Sequence, residues 1–372
     1  MSDSVSAILL GHVDAGKSTL AGALLVETGA VNERDVEKCK QDAKANKMDS
    51  WYLAYLMDLS ETERLTGKTT QVGVATIKTS KREYNLLDAP GHRHYVKEVA
   101  SAAYRAQIGI LIVSARKGEY ESGFEKDGQT REHLVLARSL GVERLIIAIT
   151  KCDLYTKDEL KSRVLEISKG ISPFVKSVGF SKPIYATVSS MEGNVQPLLD
   201  ALDSLEISDR NQDPLRISVL EKGIGVVTSG SVEKDQILVG VRDSKVVAME
   251  SGRSGEIICL PRSVQSDILY DQETKIVESD NVICCLSIFD NAPLVSVGST
   301  MVAHYGDQVV TATVDAMRET FIRAGGRANV GIKFNRPIAV EAYTGSVKTA
   351  GRLLMRKGDE TIGIARILKV IS

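Results

Sequence analysis

Eight residues near the start, Gly11-His12-Val13-Asp14-Ala15-Gly16-Lys17-Ser18, restrict the possible folds more than any other part of the chain; they follow directly on the apolar stretch Ser6 to Leu10. The run fits G-x-x-x-x-G-K-[ST], in which the glycines let the chain wrap so that successive backbone N–H groups face phosphate oxygens. In such a loop Lys17 neutralises the β- and γ-phosphates, and the Ser18 hydroxyl can ligate Mg²⁺. The helix that follows, with Thr19 in its first turn, adds the attraction of its N-terminus for an anion. It is expected to begin at Lys17 or Ser18 and to run through Leu24 to Leu25. A strand, this loop and a helix in that order call for a parallel sheet with helical crossovers.

The following residues supply that pattern. Continuous apolar runs at Tyr84 to Asp88, Ile108 to Ser114, Leu145 to Thr150 and Pro183 to Val188 alternate with helical periodicities such as Gln129 to Leu140 and Lys157 to Ile171. Runs of this kind are strands buried on both faces of a mostly parallel sheet. The polar, proline-bearing stretch Ile207 to Pro214 ends the alternation, and short strand-like runs divided by turn residues follow, as in all-β barrels. We expect an α/β domain at 1–208, a β-barrel at 213–300 and a second, short β-barrel at 301–372, since another break falls at Gly298 to Gly306.

Four further motifs stand at ends of the expected strands or in the loop between them. Asp88-Ala89-Pro90-Gly91-His92 closes one strand: the carboxylate can hold Mg²⁺ through water, the Gly91 N–H can meet a γ-phosphate, and His92 can orient an attacking water. Thr150-Lys151-Cys152-Asp153 closes another; a carboxylate there can accept both the N1 and N2 hydrogens of guanine, a pairing adenine cannot satisfy. Ser189-Ser190 follows the last strand of the set, where a small polar residue can support a base from its backbone. In the stretch Asp58 to Thr69, Thr69 is the best-placed hydroxyl to complete a Mg²⁺ shell with Ser18 and Asp88, whereas the Glu and Arg residues around it read as a solvated helix end.

Composition removes several classes. With 47 Lys+Arg against 48 Asp+Glu, no global field favours nucleic acid or membranes. The balance hides an asymmetry, because residues 301–372 hold 11 basic against 6 acidic side chains; such a local excess fits an acidic partner surface or RNA, or a solvated face. Five cysteines without paired C-x-x-C spacing argue against a disulfide framework, a zinc ribbon or a disulfide-linked partner. The stretch MSDSVSAILLGHVDAGKS has no basic region before its short apolar run, so it is read neither as a signal peptide nor as a membrane span, and a cytoplasmic location is expected.

Taken together, GHVDAGKST, ERLTGKT, DAPGH and K-x-D resemble the translational GTPases, the elongation factor Tu and elongation factor 1-alpha superfamily. Trp51-Tyr52-Leu53 with the downstream GKTTQVGVA, and the stretch from Ser114 to His133, are more similar to the eukaryotic class II peptide-chain release factors than to elongation factor 1-alpha. The resemblance implies an α/β P-loop GTPase domain with a mostly parallel sheet, followed by two all-β barrel domains. It implies GTP/GDP and Mg²⁺ as cofactors, and the ribosome and a class I release factor as partners, the last barrel docking that factor. It places Gly11 through Thr19, Asp88, Gly91, Thr150, Lys151, Asp153, Ser189 and Ser190 at the nucleotide, Ser18, Thr69 and Asp88 at the metal, and His92 at the attacking water. A ribosome-rescue GTPase that partners a pelota-type factor, an aminoacyl-tRNA carrier and a non-hydrolysing scaffold are the alternative functions. The chain departs from the family's pattern in three places. Thr150 stands where the family has asparagine, so an amide tying the base to the phosphate loop is missing and fast-exchanging nucleotide is expected. Ser189-Ser190 only approximates the base-supporting motif. The last barrel, counted from Gly298, is abbreviated.

Overall fold

Strand β1 (Ser4–Gly11) is buried over its whole length, as expected for the centre of a covered sheet. It pairs in parallel with β3 (Glu83–Asp88) on one side and β4 (Ile108–Ser114) on the other. Strands β5 (Arg144–Thr150) and β6 (Ile184–Thr187) extend the sheet in parallel beyond β4. β2 (Gly73–Lys78) adds an antiparallel edge beside β3, giving the order β2-β3-β1-β4-β5-β6. Side chains of β2 alternate between buried and more exposed positions, so this strand has no continuous apolar run by which it could be read from the sequence. This computed structural model describes residues 4–371 apart from 58–62, 64–68, 70, 93–94, 125–127, 222, 241–242, 244, 267, 272–273, 275, 291, 307, 345–349 and 359.

Helices α1 (Lys17–Glu27), α2 (Glu33–Ala45), α3 (Val96–Arg105), α4 (Glu119–Phe124), α5 (Gln129–Leu140), α6 (Lys157–Val178) and α7 (Gln196–Ser204) belong, apart from the last two residues of α5, to the same unit, Met1–Arg138 with Val142–Ser208. α6 starts on a capping box, with Thr156 and Glu159 satisfying each other's backbone N–H groups. It runs past the expected end at Ile171 and through Pro173, because Ile171 and Val175 on either side of the proline are both fully buried. Gly179, at φ 102°, ends it. The carboxyl ends of β1, β3 and β5 deliver the phosphate loop, the Asp88 turn and the Lys151 turn to one edge of the sheet, the edge at which open α/β sheets bind ligands.

The second unit, Ser139–Gly141 with Asp209–Ser372, is built from strands. β7 (Arg216–Glu221), β8 (Ile224–Ser229), β10 (Ile237–Gly240), β11 (Val246–Val247), β13 (Ile257–Cys259) and β14 (Ile268–Tyr270) form an antiparallel sheet ordered β11-β10-β14-β7-β8-β13. β9 (Ser231–Val232) pairs separately with β12 (Gly252–Arg253). The last six strands are β15 (Val277–Ile288), β16 (Thr300–Tyr305), β17 (Gln308–Met317), β18 (Arg327–Val340), β19 (Arg352–Lys357) and β20 (Glu360–Ile371), and they close as a barrel in the order β15-β18-β17-β16-β19-β20.

The barrel corrects the border expected at 300/301. Strand β15 pairs with both β18 and β20, so it belongs to the last barrel and supplies the strand that made a domain counted from Gly298 look short. The turn residues at Gly298 to Gly306 lie inside this barrel. Its apolar core continues into Ile268 and Tyr270 of β14. Arg216 of β7 forms a buried two-point ion pair with Glu341, just beyond β18, with Nε to Oε1 at 2.6 Å. A bidentate guanidinium–carboxylate pair fixes both partners in orientation as well as distance.

Candidate functional site

At the end of β1 the backbone itself shapes the loop. Asp14 and Gly16 have φ of 61° and 94°, the left-handed conformation that turns successive N–H groups toward one concavity. Gly11, at φ 147°, lies so close to β4 that a Cβ there would sit 2.5 Å from the Ile112 carbonyl oxygen. Lys17 is buried, and its Nζ donates to the carbonyls of His12 at 2.9 Å and Gly11 at 3.4 Å. Burial lowers its pKa, against the opposing charges of Asp88 and Asp14, so the ammonium gains most when a second anion reaches it. The Asp88 turn lies against this loop: a Cβ on Gly91 would meet Lys17 Nζ at 2.5 Å and the Val13 backbone nitrogen at 3.2 Å.

Ser18 Oγ and Thr69 Oγ1 are 3.1 Å apart, so the sequence-predicted hydroxyl pair does meet; most of the stretch between Asp58 and Thr69 lies outside the described residues. Asp88 is buried, and its Oδ1 has no hydrogen-bond partner among the described residues. Burial pushes its pKa up to about 6, opposed by the Ser18 hydroxyl and the Lys17 charge and assisted by Glu63. Two hydroxyls and a buried, unsatisfied carboxylate oxygen beside a phosphate loop fit Mg²⁺, a hard cation that takes few protein ligands and keeps its waters. Among the described residues no group of three or more His, Cys, Asp and Glu side chains could hold a metal.

The opposite end of the site is assembled from side chains. Ser189 Oγ donates to Asp153 Oδ1 at 2.8 Å, so Ser189 orients the carboxylate through its hydroxyl, where support from its backbone was expected. Lys151, at φ 58°, donates to the Asp14 carbonyl at 3.1 Å and to Glu119 Oε2 at 2.7 Å. Thr150, which has no amide, makes a tie of its own: its Oγ1 donates to the Ala15 carbonyl at 2.9 Å. The hydroxyl therefore fastens the end of β5 to the phosphate loop without an amide.

These parts surround one cavity of about 630 Å³, large enough for a nucleotide. Val13 through Thr19, Thr69, Gly91, His92, Thr150, Lys151, Asp153 and Ser190 line it. Gly11, His12, Asp88 and Ser189 do not; they act from behind, by accepting from Lys17, waiting beneath Ser18 or bracing Asp153. Seven wall residues were not anticipated: Ser50, Trp51, Ala54, Tyr95, Arg116, Leu154 and Met191. Leu154 and Met191 are 56% and 48% exposed, large apolar side chains flanking the Asp153 end, and each directly follows a recognised motif. His92 packs edge-on to Tyr95, ring centroids 6.4 Å apart.

Residues 2–208 match the family model of the elongation factor Tu GTP binding domain. The chain is 33% identical to the eukaryotic peptide chain release factor GTP-binding subunit of Kluyveromyces lactis, over 99% of this chain and 61% of that one. It is 32% identical to the subunit of the same name from Zygosaccharomyces rouxii, over 99% and 64%. It thus spans about three fifths of the length of these relatives. In fold it is similar to the Ski7 GTPase-like domain of S. cerevisiae, solved bound to GTP, with a TM-score of 0.80, 14% identity and 98% and 97% of the two chains covered. A bacterial selenocysteine-specific elongation factor gives a TM-score of 0.70 at 18% identity, covering 99% of this chain and 58% of the other. With a family model matched over more than half its length, the chain belongs to the family of the elongation factor Tu GTP-binding domain.

Proposed function

We propose that this chain binds GTP and GDP with Mg²⁺, hydrolyses GTP when stimulated by the ribosome, and acts in the cytoplasm with a class I release factor at stop codons. The observation that carries the reading is the single cavity in which a buried lysine, a hydroxyl pair over a buried carboxylate, a histidine and a braced aspartate converge. Likeness along 99% of the chain to release factor GTP-binding subunits supports the termination role. We also propose an organisation of one nucleotide domain to about residue 208 and two β-domains, the second beginning near Val277.

In this reading Lys17 exchanges the His12 and Gly11 carbonyls for β- and γ-phosphate oxygens. Gly91 offers its N–H to the γ-phosphate, and its lack of a side chain lets the turn reach that position. Mg²⁺, held by Ser18 and Thr69 directly and by Asp88 through water, would neutralise charge on the β- and γ-oxygens. His92 starts beside Tyr95 at the cavity wall and orients the water once the ribosome repositions it. Asp153, braced by Ser189, accepts the two guanine hydrogens. Loss of the γ-phosphate removes the contact that holds Thr69, which makes hydrolysis a timer.

Purified chain is to be tested for GTP-dependent association with a class I release factor, a pelota-type factor and aminoacyl-tRNA side by side. Capture of the class I factor with GTP and not with GDP is the expected result. Capture of either other ligand instead assigns a rescue or carrier role, and association that ignores the nucleotide points to a scaffold. Among the described residues no helix is long and apolar enough to cross a membrane.

A further inference from the structure

Helix α4, between β4 and α5, is fastened to α6 on one side and, through Glu119, to Lys151 of the nucleotide cavity's wall on the other. Arg163 of α6 is 3% exposed and holds Glu121 at 2.8 Å, Glu166 at 2.9 Å and the Ala115 carbonyl at 2.8 Å. Its guanidinium lies 5.6 Å from the centre of the Tyr120 ring. Phe124 meets Phe174 of α6 edge-on at 5.7 Å, and the Arg131 guanidinium stands 4.8 and 4.9 Å from those two rings. None of these contacts touches the cavity, yet together they fix the position of the first residue of α4, Glu119.

Glu119 Oε2 accepts from Lys151 Nζ at 2.7 Å, and Oε1 lies 3.4 Å from Arg116. Both cations line the cavity while Glu119 does not. Lys151 has the left-handed backbone that non-glycine residues rarely adopt, and it opens the short turn Cys152–Leu154 that carries Asp153. Its side chain is held at two points, the Asp14 carbonyl of the phosphate loop and the Glu119 carboxylate. Burial alone would raise the Glu119 pKa, but hydrogen bonds from Lys151 and Ser114 and the charges of Lys151 and Arg116 bring it below the ordinary carboxylate value.

We propose that Glu119 is a positioning residue of the nucleotide site: anchored through α4 to α6, it holds Lys151 across the phosphate loop and so presets the turn that offers Asp153 to the base. This inference rests on the reading of the cavity as a guanine nucleotide site. Its consequence is kinetic, because a loosened Lys151 lets bound nucleotide leave faster without altering the groups that act on the γ-phosphate.

The test is release of a fluorescent GDP analogue from the full chain, followed by stopped flow for the parent, Glu119→Gln, Lys151→Met and the double variant. Glu119→Gln is expected to speed release about three- to tenfold and to add nothing in the Lys151→Met background. Its stimulated hydrolysis rate at saturating GTP should equal the parent's. An unchanged release rate in Glu119→Gln overturns the proposal, as does an equal acceleration in the Lys151→Met background. If the parent binds no guanine nucleotide, the site reading fails and the inference fails with it, a result distinct from a binding parent with indifferent variants.

Discussion

The phosphate end and the base end of the cavity are built from different materials. At the phosphate end the geometry belongs to the backbone: φ values at Gly11, Asp14 and Gly16, the contact of Gly11 with β4, and a lysine buried under its own loop. At the base end it belongs to side chains, with Ser189 bracing Asp153, Thr150 tying β5 to Ala15, and Glu119 holding Lys151. A backbone-built site tolerates few residue types at fixed positions, whereas a hydrogen bond from one side chain can be replaced by another of different shape. At position 150 a threonine hydroxyl suffices to make such a tie. Damage at the first end should therefore register in folding, and damage at the second in affinity alone.

The largest effect is expected from Asp153→Ala, which in the proposed site would remove two charge-assisted hydrogen bonds to guanine. GDP affinity by calorimetry should fall about 10²- to 10⁴-fold with little change in the unfolding midpoint; a comparable loss of thermal stability would erase the distinction. Gly11→Ala places a methyl group against the Ile112 carbonyl oxygen on a backbone that disfavours it. It should cost about 3 kcal/mol of folding free energy, read by denaturant titration without nucleotide, and wild-type stability there would show that the loop is not backbone-determined. Thr150 gives a finer test. Thr150→Val leaves the Ala15 carbonyl without its hydroxyl donor and should speed GDP release about tenfold, Thr150→Ser should stay within about twofold, and Thr150→Asn should be no faster than the parent.

A separate effect, on the pH dependence of stability, concerns His133, 1% exposed beneath the phosphate loop. Burial, followed by the charges of Lys17 and His12, pushes its pKa down to about 3 from 6.5. Below pH 6.5 the unfolded chain takes up a proton that the folded chain refuses, so stability is lost as pH falls from about 6.5 toward 3, by up to about 1.4 kcal/mol per pH unit. His133→Gln should flatten that part of a stability–pH curve; an unaltered slope would show that acid acts elsewhere.

The same contrast governs what could be read in advance. The phosphate loop was legible because its determinants are contiguous and glycine has few substitutes there. The covered strands were legible because β1, β4 and β5 each hold a continuous apolar run. Edge strand β2 escaped because it is half exposed and its sequence alternates. Strand β15 was assigned to the wrong β-domain because antiparallel pairing with β18 and β20 is a long-range choice that local turn signals at Gly298 to Gly306 do not report. At the site, the Thr150 tie, the role of Ser189 and the Glu119–Lys151 pair were hidden for one reason: each joins residues at least 32 positions apart. Met191 and Leu154 carried a faint signal, as large apolar residues directly after polar motifs.

Trp51, in the cavity wall, is the only tryptophan of the 372 residues. Its indole makes the unlabelled chain its own optical instrument, for every photon it emits originates in the wall of that cavity. The nucleotide exchange, hydrolysis and partner docking proposed for the chain can each be tested on native material, free of the perturbation that an attached dye would bring.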